Sequence, residues 1–398
     1  MTSPPIAATG YLTVLRVPGL RAVFAAHAVS MVGTVAAQVA LSILVFDRTG
    51  SPLLSALVLA CSFLPYALGG TLLSSIADRY PARPLLVTCD LLSAGCIAVM
   101  LIPDLPVPAL LGLLLLTGLI APIFAGARSA SLTQLLPAEL FPTGRSLLRA
   151  ISQITVLSGF ALGAVAVAAV GPTWLLALDV VTFALSALLI RFGTPSTPAP
   201  GTGGNTLQAS REGLRYLFTT PKVRNLLLLT WAAPAFSAVP DGLAVAYAAQ
   251  TGAAASAAGA LFTGYAAGTV LGELVGTRLA PRTRRRLLVP LLLATQLPAV
   301  VFVFTPSVAS AALLLAVSGC GHAFNQAVDP MILAAADPAY RGRLFTVQTS
   351  GMMTVQGLTI ALAGAVGTFV RPNLTIAFAG VLGVLTVLVL ARKVVSAN

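Results

Sequence analysis

The sequence predicts an all-α membrane protein with twelve transmembrane helices in two six-helix halves. Hydrophobic residues make up 57% of the chain and charged residues 9%, and the mean hydropathy is +0.95, which leaves too little polar surface for a soluble protein. Apolar runs of about twenty residues recur along the chain, and each is long enough to cross the ~30 Å hydrocarbon core of a bilayer as a helix. Lys and Arg are concentrated in alternate connecting segments, as in multi-pass membrane proteins.

The apolar runs must form helices, because the bilayer interior offers no hydrogen-bond partner to a free backbone group. Several runs exceed the thickness of the bilayer, which allows tilt or protrusion into water. The twelve predicted spans are residues 20–46, 52–75, 85–102, 107–128, 144–169, 173–191, 224–247, 257–279, 286–304, 308–335, 344–369 and 373–391.

The positive charges predict on which side of the membrane each loop lies. With the N-terminus placed in the cytoplasm, all of the 23 Lys and Arg residues except Arg48 and Arg371 fall in inner segments. Cytoplasmic loops of membrane proteins carry such an excess. We therefore expect a multi-pass protein of the cytoplasmic (inner) cell membrane, with both termini in the cytoplasm.

A polar interval divides the chain into halves. Residues 193–222 begin as a Pro-, Gly- and Thr-rich linker and continue as a short amphipathic helix at 210–218 on the inner membrane surface. The interval separates an N-terminal half, residues 1–192, from a C-terminal half, residues 223–398. The loops after spans 2 and 8, "ADRYPARPLL" and "APRTRRRLLV", echo each other. Such an internal repeat is typical of secondary transporters, which bind substrate between two halves.

Several function classes are excluded by composition. An ATP-driven pump needs a P-loop lysine after a glycine, whereas Lys222 and Lys393, the two lysines of the chain, follow proline and arginine. The net charge of +12 does not indicate nucleic-acid binding, because the basic residues are scattered between apolar runs. The four cysteines lie in apolar runs without metal-ligand spacing, so no metal or cofactor is expected. An enzyme would need a charged or metal-binding cluster, and the sequence does not show one.

The sequence resembles the major facilitator superfamily. Its six-plus-six spans, its basic middle loop and the charged loop after span 2 carry the resemblance, since Asp78, Arg79 and Arg83 match the family motif G-x-x-x-D-R-x-G-R-[RK]. Within the family, the chain is most similar to bacterial exporters of drugs and siderophores, the enterobactin-exporter-like branch. That similarity rests on "DRTGSPLLSALVLACSFLP", "CDLLSAG", "ARSASLTQLLP", "LALDVVTFALSALL", "REGLRYLF" and "YRGRLF".

The chain also departs from the family pattern. Ser74, Pro81 and Ala82 replace two glycines and an arginine of the motif. The family's arginine midway along helix 4, which is often tied to proton coupling, has no counterpart, because Arg128 is expected at the inner end of span 4. The helix-5 pattern G-x-x-x-G-P-x-x-G-G is reduced to Gly159 and Gly163.

The resemblance implies a gate at the cytoplasmic side. In the family, the acid and arginines after helix 2 form a charge cluster against the partner half at the inner end of span 11. The residues at these positions are Asp78, Arg79, Arg83, Arg341 and Arg343. We expect Asp78 to meet the positive N-terminus of span 11 and to hold the inner side closed.

Polar residues inside spans are the candidates for a substrate or proton site, because a charge that faces lipid is costly. Three spans carry polar stripes at steps of three to four residues, and the resemblance implies that helices 1, 4, 7 and 10 line a central cavity. Helix-to-helix hydrogen bonding would explain the same stripes. The stripes are His27, Ser30, Thr34 and Gln38; Thr230, Pro234, Ser237 and Asp241; and His322, Asn325, Gln326 and Asp329.

Three further acids lie within spans. Asp90 and Asp179 are candidates for the same site, and a position near the lipid headgroups or at the end of a neighbouring helix is the alternative for both. Glu273 is expected to pair with Arg278 and Arg282 of the basic loop. Pro234 and Pro240 are expected to kink span 7.

These observations predict a secondary transporter that exports a small hydrophobic or amphipathic molecule, such as a drug, a secondary metabolite or a siderophore, by alternating access. Proton antiport is implied by the resemblance. Its partners would be the substrate, protons and the lipid bilayer, without nucleic acid, and the protein would act as a monomer. The alternatives are an importer or facilitator of a polar solute and a membrane-embedded sensor or enzyme.

We expect Asp78→Asn to leave membrane insertion intact and to impair transport, because acidic residues contribute little to topology. Membrane yield and transport measured on the same preparation would test this. Transport at the wild-type rate would contradict a gating role for Asp78.

Overall fold

Each predicted span is largely helical wherever the computed structural model describes it, which is over residues 11–68, 79–137, 140–195, 215, 218–337 and 341–396. We number the main helices α1–α12. They are α1 (Leu20–Thr49), α2 (Pro52–Phe63), α3 (Ala82–Met100), α4 (Val107–Leu135), α5 (Phe141–Val170), α6 (Pro172–Gly193), α7 (Pro221–Ser237 and Val239–Gln250), α8 (Ala258–Arg278), α9 (Leu288–Val300), α10 (Val308–Gly321 and Asn325–Ala335), α11 (Arg341–Gly367) and α12 (Pro372–Ser396).

Ten of the described helices are long and apolar enough to cross a membrane. Two further apolar helices, Pro52–Leu68 and Leu288–Phe304, are shorter. Large apolar side chains also cover the outer surface of the bundle, where Val165 is 70% and Leu313 is 71% exposed. Water would not favour such a surface, but lipid would. The chain is therefore a multi-pass membrane protein, and the count of twelve crossings remains a prediction.

The helices pack as two groups, α1–α6 and α7–α12. In the first group α6 packs along α1 and α3, and in the second α10 packs along α8 and α12 packs along α7 and α9. The groups meet where α2 contacts α11 and the second piece of α7, and where α5 contacts α8.

The two ends of the bundle are packed differently. We call the end at which α1, α3, α5, α7, α9 and α11 begin the basic end, since most arginines lie there. At the opposite end, one apolar cluster joins the groups through residues such as Leu59, Leu243 and Phe262. At the basic end, the apolar clusters of the described residues stay within one group, around Leu132 in the first and Ile332 in the second. The groups are thus packed together mainly at the opposite end.

Helix α7 is interrupted, as the prolines predict. Its first piece contains Pro234 and ends at Ser237, and its second piece begins at Val239 with Pro240 in its first turn. A proline removes one backbone hydrogen bond and crowds the preceding turn, which explains the break.

The predicted linker and amphipathic helix lie mostly outside the described residues, so the division into halves remains a prediction at that point. From Phe218 the structure is continuous to residue 337, and α7 begins at Pro221.

We expect Gly268→Ala to destabilise the bundle. A Cβ at Gly268 in α8 would overlap the backbone carbonyl oxygen of Ala316 in α10, which cannot rotate away. Overpacking of this kind costs typically about 1–3 kcal/mol. The midpoint of thermal unfolding in detergent should fall.

Gly95→Ala is the matched control, because a Cβ at Gly95 in α3 would meet no atom within 4 Å. Alanine is favoured over glycine in a helix by about 1 kcal/mol, so this variant should be as stable as the wild type or more stable. Equal loss in both variants would show that α8 and α10 are not in close contact.

Candidate functional site

His27 in α1 lies at the centre of a buried polar network that we call the arginine cluster. It comprises His27, Asp90, Arg128, Ser152 and Ser186, from five helices of the first group. Arg128 donates from Nη1 to Nδ1 of His27 over 2.5 Å, and Nε2 of His27 lies 2.8 Å from Oγ of Ser152.

The hydrogen bonds assign one tautomer to His27. The hydroxyl of Ser152 donates to the carbonyl oxygen of Leu148 over 3.0 Å, so its oxygen is free to accept from His27. Because Nδ1 accepts from Arg128, the proton of the imidazole lies on Nε2. The ring therefore links a buried guanidinium to α5 without carrying a charge itself.

Asp90 in α3 brings a carboxyl group to the same cluster. It is 1% exposed, and its Oδ2 accepts from the hydroxyl of Ser186 in α6 over 2.7 Å. Its Oδ1 and Nε of Arg128 are both buried without a hydrogen-bond partner among the described residues. Arg128 is close enough to Asp90 for their charges to attract. A guanidinium and a carboxyl group thus lie near each other without complete hydrogen bonding among the described residues.

The expected position of Arg128 at the inner end of span 4 is wrong. Helix α4 continues to Leu135, two turns further, and Arg128 lies half-buried with its guanidinium 5.6 Å from the ring of Phe124. In the sequence, a charged residue at the end of an apolar run is typical of a helix terminus at the membrane surface. The available signal was the uncharged continuation "SASLTQL", together with His27 on another helix expected to line the cavity.

A second network, the carboxylate cluster, connects the two groups toward the basic end. It comprises Arg149, Glu273, Gln326, Asp329 and Gln348. Nη1 of Arg149 in α5 lies 3.8 Å from Oδ2 of Asp329 in α10, and Gln348 in α11 donates to Oδ1 of Asp329 over 3.3 Å. The side chains of Arg149 and Asp329 are 60% and 25% exposed, so water reaches this ion pair.

Glu273 does not make the ion pair expected with Arg278 or Arg282. Its Oε2 accepts instead from Nε2 of Gln326 in α10 over 2.5 Å. Five residues separate Glu273 from Arg278, which places the two side chains about 140° apart around a helix. The carboxylate of Glu273 therefore faces α10, whereas Arg278 lies on a different face of α8.

A third network lies within the second group and includes Ser237, Asp241, Tyr265 and His322. The hydroxyl of Tyr265 lies 3.2 Å from Nε2 of His322 and 3.5 Å from Oγ of Ser237. The rings of Tyr265 and His322 meet edge to face, with centroids 5.5 Å apart. Asp241 is half-buried and close enough to Tyr265 for electrostatic interaction. We call this the tyrosine cluster.

The remaining candidates make contacts between helices or stay half-buried. Gln38 in α1 donates to Ser62 just before the end of α2 over 2.9 Å. Asp179 in α6 accepts a hydrogen bond from Thr182 over 3.1 Å. Its carboxyl group lies against Gly33 of α1. Asn325 is half-buried at the start of the second piece of α10.

The expected gate is described only in part. Arg79 is exposed, and Arg83 donates to the backbone carbonyl of Arg191 at the end of α6, in its own group rather than on α11. Asp78 and the side chains of Arg341 and Arg343 lie outside the described residues. The contact of this loop with α11 therefore remains a prediction.

A metal site was not expected from the sequence. Among the described residues there is no group of three or more His, Cys, Asp or Glu side chains that could hold a metal ion.

Comparisons with known proteins agree with this architecture. Residues 23–245 match the family Major Facilitator Superfamily. An uncharacterized MFS-type transporter of Bacillus subtilis strain 168, YkuC, is 24% identical over 366 residues, which cover 86% of this chain and 84% of the relative.

Two solved transporters share the fold at low identity. A POT family transporter, solved in complex with a thioalcohol-conjugated peptide, has a TM-score of 0.74 at 10% identity, with 94% of this chain and 95% of that chain covered. A bacterial homologue of the human lysosomal transporter Spinster, solved in an inward-facing and occupied conformation, has a TM-score of 0.69 at 14% identity, with 100% and 97% covered. These likenesses and the family match identify a transport protein and not an enzyme, and the chain belongs to the Major Facilitator Superfamily of secondary transporters.

Proposed function

We propose that the protein exports a small hydrophobic or amphipathic molecule in exchange for protons, with the arginine cluster as the proton-coupling site. The observation that carries this proposal is the contact of Arg128 with the buried residues His27 and Asp90, in which Oδ1 of Asp90 lacks a hydrogen-bond partner among the described residues. Ionisable groups in the membrane interior are expensive and are usually functional.

Coupling would act through the charge of Asp90. When Asp90 is ionised, it attracts Arg128 and holds it between α3 and the imidazole of His27 on α1. When Asp90 takes up a proton, that attraction is lost, and the hydrogen bond to His27 and the contact with Phe124 remain. The proton thus changes how firmly α1, α3 and α4 are joined, which is the kind of differential interaction that shifts a conformational equilibrium.

Alternating access would occur by rocking of residues 1–192 against residues 223–398. The shared apolar cluster closes the opposite end, where Phe160 of α5 stacks on Phe262 of α8 with ring centroids 5.0 Å apart. Toward the basic end the groups are connected by the ion pair of Arg149 and Asp329, which is solvated and therefore weak, at roughly 0–1 kcal/mol. A contact of this strength breaks easily in each cycle. The conformation corresponds to an inward-facing state if the basic end is cytoplasmic.

An apolar or amphipathic substrate is supported by the hydrogen bonds that polar side chains of the stripes already make within the protein. Polar side chains of the stripes are hydrogen-bonded to neighbouring helices, as Gln38 is to Ser62 of α2 and Gln326 is to Glu273 of α8, and so are not free to bind a polar substrate. Export is supported by the sequence segments shared with the drug and siderophore exporters.

Import of a polar solute is the second candidate. The tyrosine cluster offers a hydroxyl, an imidazole and a carboxyl within one group of helices. A POT family transporter of the same fold was solved with 5-aminolevulinic acid, a polar ligand.

Transport into inverted membrane vesicles under an imposed pH gradient tests both candidates, with a panel of lipophilic cations, antibiotics and siderophores. An exporter accumulates a panel compound in an acidified lumen and stops when the gradient is dissipated. We expect Asp90→Asn to lower this accumulation at least about tenfold, since the proton-dependent contact with Arg128 is lost, while substrate exchange without a gradient persists.

Asp179→Asn is the matched control, because Asp179 is an equally buried acid whose partner, Thr182, lies on its own helix. It should retain gradient-driven accumulation. Thermal unfolding of both variants verifies that they fold. Wild-type coupling in Asp90→Asn, or the same loss in Asp179→Asn, would refute the coupling role of the arginine cluster.

We expect Arg149→Gln and Asp329→Asn each to change the transport rate by less than about fivefold, because an exposed ion pair contributes at most about 1 kcal/mol. The double variant should resemble the single variants, since both remove the same interaction. Rates from the vesicle assay, combined as a double-mutant cycle, measure this. Additive effects would show that the two side chains act separately.

A further inference from the structure

A cavity of about 300 Å³ opens at the basic end of the second group, beside the carboxylate cluster, whose Gln326 lines it. It lies between the start of α7, the short helix Pro281–Arg286 and the second piece of α10. Three cationic side chains line it, Lys222, Arg284 and Arg285.

The cations of the cavity make no ion pair among the residues that the structure describes. Lys222 and Arg285 are exposed and make no ion pair with an acid among the described residues. The sequence contains no Asp or Glu between Glu273 and Asp329. None of the described residues that line the cavity is acidic, and Glu273 reaches it only through its hydrogen bond with Gln326.

Arg284 is held in position by the end of α8. It donates from Nε to the carbonyl oxygen of Leu279 over 2.9 Å and from Nη2 to that of Thr277 over 2.7 Å. These contacts use the carbonyl groups that a helix leaves unpaired at its C-terminus. The side chain of Arg284 is thus held in place at the cavity before a ligand binds.

The opposite wall is apolar except for the amide of Gln326. Pro330, Met331 and Ala334 of α10 line the cavity, and successive turns of the helix place Pro330 and Ala334 on one face. Asp329 faces Arg149 and Gln348 instead, so the ion pair between the groups lies outside the cavity, although the lining residue Gln326 donates to Glu273 of the same cluster. A ligand with an anionic part and an apolar part fits this combination.

We propose that this cavity binds the phosphate-bearing headgroup of an anionic phospholipid. The phosphate would lie against Lys222, Arg284 and Arg285, and the start of an acyl chain would lie against Met331 and Ala334. Basic pockets between membrane helices on the cytoplasmic side bind such headgroups, and anionic lipids are enriched where a polybasic segment meets the membrane surface. Inorganic phosphate could contact the three cationic side chains, but it has no apolar part to contact Met331 and Ala334.

Binding to the full-length protein in a neutral detergent tests the proposal, with native mass spectrometry and thermal unfolding as measurements. The probes are phosphatidylglycerol, phosphatidylcholine and inorganic phosphate. We expect phosphatidylglycerol to bind and stabilise the protein preferentially. Lys222→Gln with Arg285→Gln should weaken that binding about tenfold or more, as expected for two cations at an anionic surface.

Arg282→Gln with Arg286→Gln is the matched control. It removes the same charge from exposed arginines of the same short helix that do not line the cavity. It should bind phosphatidylglycerol like the wild type, and equal unfolding temperatures without lipid show that both double variants are folded. Met331→Gln should weaken phosphatidylglycerol binding as well.

Three results would overturn the proposal. Equal binding of phosphatidylglycerol and phosphatidylcholine would show that the cationic side chains do not select an anionic lipid. Equal loss in the two double variants would show diffuse attraction to the whole basic loop. Equal stabilisation by inorganic phosphate, with no effect of Met331→Gln, would show a site for a soluble anion.

Discussion

Close contact between the backbones of α8 and α10 fixes much of the second group of helices. Gly264, Gly268 and Gly272 recur every four residues along α8, and a Cβ at any of them would overlap a backbone carbonyl oxygen of α10. In lipid, helices gain little from burying apolar side chains, so association depends on packing and on hydrogen bonds between helices. Removing side chains from one face is what allows the two backbones to approach so closely.

This contact determines which polar side chains meet. With α8 and α10 in register, Tyr265 reaches His322 and, two turns further, Glu273 reaches Gln326. A comparable arrangement holds in the first group, where Gly33 of α1 leaves room for Asp179 and Thr182 of α6. The polar clusters are thus consequences of helix packing, and a shift of one helix by a single turn would separate their members.

Burial separates the roles of the charged clusters. His27 and Asp90 of the arginine cluster are buried, so a change in the charge of Asp90 would affect Arg128 more than it would in water, because charges interact more strongly in a medium of low dielectric constant. The ion pair of Arg149 and Asp329 is solvated, so it contributes little and can form and break as the groups move. A strong buried interaction suits coupling to a proton, and a weak exposed one suits a gate.

The sequence by itself determined the helices, the basic end and the family, because the length and hydropathy of a run and the charge of a loop are local properties. It also placed His27, Asp90 and Asp329 among the candidates, since an ionisable residue within an apolar run is conspicuous. Only the tertiary structure decided that Arg128 lies inside the bundle against His27, that Glu273 pairs with Gln326, and that Arg149 connects the groups. Those pairings depend on the rotation and depth of each helix, which are set by backbone contacts such as that of Gly268 with Ala316 and are not encoded in the hydropathy of a single run.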